Sequence, residues 1–190
     1  ASDVYKRQLR SLAITLEVGG QAELGALAEQ LLSAGYTRCE QVEGVGQFAL
    51  RGGILDVFSP LMDQPVRCEF FDDEIDSMGA FDPGTQRRTR NVSSARILPA
   101  AEVLPHCAPG GLPGLADQLT ALAEKLAKKQ KTEAIVQTLR EDAERLRSGA
   151  APGAADRYLA AIYPTVTAGV HYLPPDAVVF LSESGRVDER

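Results

Sequence analysis

The chain has 190 residues, 44% hydrophobic and 24% charged, which fits one or two globular domains and excludes a largely disordered chain. Twenty basic against 26 acidic residues leave a net charge of −6, which argues against a broad electrostatic grip on nucleic acid. No apolar run approaches the ~20 residues of a bilayer span, and no signal-peptide pattern opens the sequence. Cys39, Cys68 and Cys107 are widely spaced without a CxxC pair, so neither a disulfide framework nor a zinc site is expected, in keeping with a reducing cytosol. His106 and His171 are the only histidines and read as surface or loop residues.

Residues 1–8 carry neither strand alternation nor helix caps and are set aside as a non-native segment. Residues 184–190 end in charged loop chemistry, the pattern expected of a piece of something longer. Residues 12–18 read as a strand closed by Gly19-Gly20. Leu24, Leu27, Ala28, Leu31 and Leu32 then recur at helical spacing, with Gly35 as C-cap. Between Tyr36 and Pro99 the period becomes two, with frequent turn residues, which predicts an antiparallel, hairpin-rich region. Two helical runs follow a Pro/Gly boundary. One carries Leu115, Leu119, Leu122 and Leu126 on a single face, the other Val136, Leu139, Ala143 and Leu146, with Lys128-Lys129-Gln130-Lys131 between them. A linker at 149–153, a short helix over 156–163 and a buried strand over 177–181 complete the reading.

Residues 47–58 read as two strands around a Gly52-Gly53 turn. Pairing Arg51 with Ile54 puts Phe48, Leu50, Leu55 and Val57 on one apolar face. Gln47, Ala49, Arg51, Ile54, Asp56 and Phe58 fall on the other, where they form either a binding surface or a second packing layer. In the next strand, Val66, Cys68 and Phe70 point inward and Arg67, Glu69 and Phe71 the opposite way. An outward Phe beside an outward Arg suits an interface, since aromatics and arginines dominate binding hot spots. The plainer alternative is that Arg67 neutralises Glu69 and Asp76. The acidic residues Glu69, Asp72, Asp73, Glu74 and Asp76 lack EF-hand spacing and read as a solvated turn. Arg87, Arg88, Arg90 and Arg96 read as solvent-facing strand and loop residues, and no GxxxxGK[ST] phosphate loop is present.

The ordered set Gly35-Tyr36-Thr37-Arg38, Gly46-Gln47-Phe48, Arg51 to Phe58, Pro65 to Asp76, Phe81-Asp82-Pro83, Thr85-Gln86-Arg87 and Leu98 to Glu102 resembles the UvrB-like module of bacterial transcription-repair coupling factors. The resemblance is dense from about Leu24 to Glu102. It implies an α+β chain: a small hairpin-rich antiparallel UvrA-interaction domain over 20–105, the end of a first RecA-like subdomain over 1–19, and a helical segment with the start of a second RecA-like subdomain over 106–190. It also implies UvrA binding by Arg51, Arg67 and Phe71, with no catalytic, cofactor or metal residue in this chain. ATP and magnesium would belong to a motor outside it, as would the contacts with RNA polymerase and duplex DNA. The location implied is the bacterial cytoplasm, with no membrane partner. Ser182 stands where a UvrB-type ATPase would need a magnesium-holding Asp, which disfavours a UvrB-type excision subunit. A partnerless structural domain is the remaining alternative, and a buried Phe71 would favour it.

Overall fold

A computed structural model describes residues 12–129, 133–163, 174 and 176–178. His171, Ser182, the segments 1–8 and 184–190, and most of the strand expected over 177–181 lie outside the described residues.

Strand β1 (Ile14–Glu17) leads into helix α1 (Leu24–Ser33). Glu23 caps that helix, its carboxylate accepting from the amides of Gly25 at 2.8 Å and Ala26 at 2.7 Å. Gly35, at φ +86, follows its end, as the spacing predicts. Strands β2 (Thr37–Arg38), β3 (Gln47–Arg51), β4 (Ile54–Val57), β5 (Val66–Phe71), β6 (Glu74–Phe81) and β7 (Arg88–Asn91) form one six-stranded sheet in sequence order. Every pairing is antiparallel except the short parallel contact of β2 with β3, which alternation alone does not reveal. Strand β8 (Ser94–Ile97) returns to pair antiparallel with β1, the strand that the resemblance assigns to the end of a RecA-like subdomain.

Leu27 and Leu31 of α1 pack onto one face of the sheet with Phe48, Leu55, Val57, Val66 and Cys68. Each such buried Phe, Leu or Val contributes roughly 1.5–3 kcal/mol. A second, smaller cluster of Val42, Ala49, Phe58 and Phe81 covers part of the opposite face. The mixed chemistry of that face therefore combines a packing layer with exposed polar residues.

Helices α2 (Gly111–Lys128) and α3 (Glu133–Arg147) form an antiparallel pair. Val136, Leu139, Ala143 and Leu146 are all buried, as their spacing predicts. On α2 the stripe differs: Leu122 is exposed, and Ala123 is buried beside Leu115 and Leu119. Ala123 lies in the cluster that also holds Leu139 and Ala143 of α3, and the leucine one position earlier turns outward. The short helix expected over 156–163 is a 3₁₀ turn, Ala155–Tyr158, continued by α4 (Leu159–Ile162). Tyr163 ties this part to the end of the strand region, its hydroxyl donating to the Glu102 carbonyl at 2.8 Å and accepting from the Leu104 amide at 3.1 Å. Among the described residues, no helix is long and apolar enough to cross a membrane.

Candidate functional site

The Gly52-Gly53 turn aligns β3 with β4 so that Phe48 faces Val57, Leu50 faces Leu55 and Arg51 faces Ile54, the register read from the sequence. Gly52 takes φ +58, a conformation that glycine adopts without steric cost. The neighbouring hairpin turns through Asp72-Asp73, with Phe71 opposite Glu74. The two hairpin tips are joined where the Phe70 amide donates to the Gly53 carbonyl at 2.7 Å. Both ends of the candidate surface are thus fixed by main-chain pairing, which limits the ordering cost of any partner contact.

On the face away from α1, Asp56 of β4 stands directly opposite Arg67 of β5. Asp56 is completely buried. Arg67 holds it bidentately, Nε donating to Oδ1 at 2.7 Å and Nη2 to Oδ2 at 2.8 Å, and Arg51 Nη2 donates to Oδ2 at 2.7 Å. Two guanidinium groups therefore share one carboxylate. The hydrogen bonds to Asp56 raise the pKa of Arg67 above its ordinary value. The Arg67 guanidinium also lies over the Phe81 ring, 4.6 Å from its centroid, so the smaller apolar cluster supports the ion pair from below.

The loop between β6 and β7 fixes Arg67 further. Arg67 donates at 3.3 Å to both the carbonyl and the side-chain Oε1 of Gln86. Gln86 is held in turn, its Nε2 donating to the Pro83 carbonyl at 2.7 Å and the Val42 carbonyl at 3.1 Å. Its backbone sits at φ +61, unusual for a residue with a Cβ. Asp82 braces the same loop by accepting from the amide and hydroxyl of Thr85, and these bonds hold its carboxyl below the usual range.

The three residues singled out from the sequence thus occupy different situations. Arg51 is 46% exposed and commits one hydrogen bond to Asp56, leaving most of its donors outward. The Arg67 side chain is only 19% exposed and spends its fork within the chain, so of the two arginines that the resemblance assigns to UvrA binding only Arg51 keeps a largely outward guanidinium. Its carboxylate is Asp56, not Glu69 or Asp76. Phe71 is 75% exposed, the position expected of it, and stands four residues along β5 from Arg67, about 13 Å at ordinary strand rise. Arg51 and Arg67 converge on Asp56, whereas Phe71 forms a separate apolar point at the hairpin tip. Phe70 points toward the main core as predicted but is only half-buried there.

Asp56 and Gln86 organise the site, and neither was singled out as a site residue on its own. Cys68, on the opposite face of β5, is fully buried, and burial with a smaller contribution from Asp56 pushes its thiol up to about 12. Among the described residues no group of three His, Cys, Asp or Glu side chains could hold a metal ion. An apolar depression of about 400 Å³, lined by Pro60, Leu61, Leu98 and Pro99 among others, includes none of Arg51, Arg67 and Phe71. A rigid charged and aromatic surface is suited to recognition.

Residues 14–103 match the UvrB interaction domain family. The chain is 30% identical over 182 residues to the transcription-repair-coupling factor of Bacillus subtilis (strain 168), an alignment covering 95% of this chain and 16% of that protein. It is 40% identical over 143 residues to the transcription-repair-coupling factor of Myxococcus xanthus, covering 74% of this chain and 11% of the relative. The corresponding factor of Staphylococcus haemolyticus is 43% identical over 89 residues, which are 47% of this chain and 8% of the relative. The chain thus spans less than a fifth of the length of these relatives. Residues 14–103 thus carry a UvrB interaction domain, and along this stretch and beyond it the chain is similar to transcription-repair-coupling factors.

Proposed function

We propose that this chain binds UvrA through the face bearing Arg51, Arg67 and Phe71, and so recruits nucleotide excision repair to stalled RNA polymerase. The observation that carries this reading is Phe71, a large aromatic 75% exposed at the tip of a well-paired hairpin, on the same strand as Arg67. In isolation such a side chain leaves its apolar surface in water. In a complex it would fill a pocket and release that water, as aromatic hot spots do.

Arg51 turns its uncommitted donors to an acidic or carbonyl group on UvrA. Arg67 acts chiefly by holding Asp56 and Arg51 in place. The mechanism is recognition, and this chain uses no nucleotide or metal. ATP and magnesium would serve a translocase motor outside it, and RNA polymerase and duplex DNA would be met by regions outside it. The setting is the bacterial cytoplasm.

Calorimetric titration of the chain with purified UvrA tests the reading: saturable binding is expected, and no heat of binding at micromolar concentrations counts against it. DNA-stimulated ATP turnover by the pure chain would contradict the assignment of catalysis elsewhere.

A further inference from the structure

On the face that carries the Asp56 cluster, Gly79 of β6 stands directly opposite Arg67, and the side chain of Arg88 from β7 lies across it. A Cβ at position 79 would come within 1.9 Å of Arg88 Nε and 2.7 Å of its Cζ, so the guanidinium can lie flat over β6 only because that residue is glycine. Arg88 Nη2 donates to Ser77 Oγ at 3.3 Å, and Ser77 Oγ donates to Glu69 Oε2 at 2.9 Å. The irregularity between Ala80 and Phe81 sets which arginine reaches this face. Arg88 is opposite Phe81 and shares its side, whereas Arg90 is opposite Ala80 and falls on the other.

The charges are unevenly met. Arg51 and Arg67 share Asp56, while Arg88 bonds a hydroxyl and remains exposed. The face carries three carboxylates, Asp56, Glu69 and, beside Phe71, Glu74; Asp56 is taken by Arg51 and Arg67, and Glu69 accepts from Ser77, so Arg88 meets the Glu69 carboxylate only through the Ser77 hydroxyl.

We propose that the partner-binding face extends across β6 to Arg88, and that UvrA meets it with an acidic group beyond the groups that face Arg51 and Phe71. The inference rests on the UvrA reading above and adds a residue, a charge and a position to it. Gly79 is the cradle that holds Arg88 ready, so part of the ordering of a long side chain precedes binding.

Binding kinetics of the whole chain with purified UvrA test this, using Arg88→Glu, Gly79→Ala and Arg90→Glu, with Phe71→Ala as reference. Arg88→Glu is expected to slow association about tenfold at low salt and to flatten its salt dependence, because peripheral charges act mainly on encounter. Gly79→Ala keeps every charge but lifts the guanidinium, and is expected to weaken affinity several-fold with an unchanged urea midpoint. Arg90→Glu, the same charge change on the other face, is expected to stay within about twofold of the parent. Equal losses for Arg88→Glu and Arg90→Glu would reveal a bulk charge effect and overturn the extension. An Arg88→Glu chain that binds like the parent, while Phe71→Ala does not bind, overturns the extension and leaves the UvrA reading standing. A parent chain that fails to bind UvrA overturns both.

Discussion

Asp56, completely buried on β4, is held bidentately by Arg67, the residue directly opposite it on β5. The pair turns a surface arginine into part of the fold. Removing one partner of a buried ion pair leaves an uncompensated charge, which typically costs about 3–5 kcal/mol.

Arg67→Ala should therefore destabilise the chain by about 3 kcal/mol. Arg51, nearly half exposed and making a single bond to the same carboxylate, should cost no more than about 1 kcal/mol when truncated. The outward position that alternation gives Arg67 thus holds a residue on which the fold depends, and the two losses should differ in this order. Urea unfolding of the two variants measures it, and equal losses would contradict the burial of Asp56.

Gln86 should behave as a strained clamp. Gln86→Ala loses the bonds to Val42, Pro83 and the Arg67 guanidinium while keeping a Cβ at φ +61. Gln86→Gly loses the same bonds but removes the backbone strain. The glycine variant should be the more stable of the two, by roughly 0.5–1 kcal/mol. Thermal melts decide the order, and a more stable alanine variant would contradict the left-handed backbone assigned to this position.

Adjacent phenylalanines on β5 should respond differently. Phe71→Ala should change stability by less than about 1 kcal/mol, since an exposed side chain supports little of the core. Phe70→Ala, half-buried against the main core, should cost about 2 kcal/mol, below the 3–5 kcal/mol usual for a fully buried Phe. A larger loss for Phe71 than for Phe70 would place the strand one residue out of register.

Cys68 offers a chemical reporter of the sheet. Its thiol, fully buried and pushed up to about 12, has almost no thiolate at pH 8. Alkylation at that pH should spare Cys68 in the folded chain and modify it in urea, as peptide mass spectrometry would record. Cys39 and Cys107 are only partly covered and should react sooner. Rapid native-state labelling of Cys68 would mean that the β4–β5–β6 packing opens far more readily than its pairing implies.

What the sequence made legible follows the reach of local chemistry. The Gly52-Gly53 turn fixes the pairing of Arg51 with Ile54 because a two-residue loop leaves a hairpin no other register, and the faces of Phe48 and Leu55 follow from it. The pairing of Asp56 with Arg67 depends on the longer connection between β4 and β5, whose geometry no turn rule dictates. That is why the alternative reading of Arg67 as a neutralising charge pairs it with Glu69 and Asp76, which are closer to it in sequence than Asp56 is. Gln86 belongs to a recognisable Thr85-Gln86-Arg87 motif, but its role depends on the Val42 carbonyl, brought to it only by folding. On α2, Leu122 and Ala123 are both compatible with an apolar stripe, and only the packing against the rest of the helical cluster decides which of them is buried.

The measurement that bears most directly on the central claim is calorimetric titration of purified UvrA with the parent chain and with Phe71→Ala, alongside urea unfolding of both. A hairpin-tip Phe that fills a pocket on UvrA should lose about 2 kcal/mol or more of binding when truncated, roughly thirtyfold in affinity, with the unfolding midpoint nearly unchanged. UvrA binding by Phe71→Ala at the parent affinity would contradict the account.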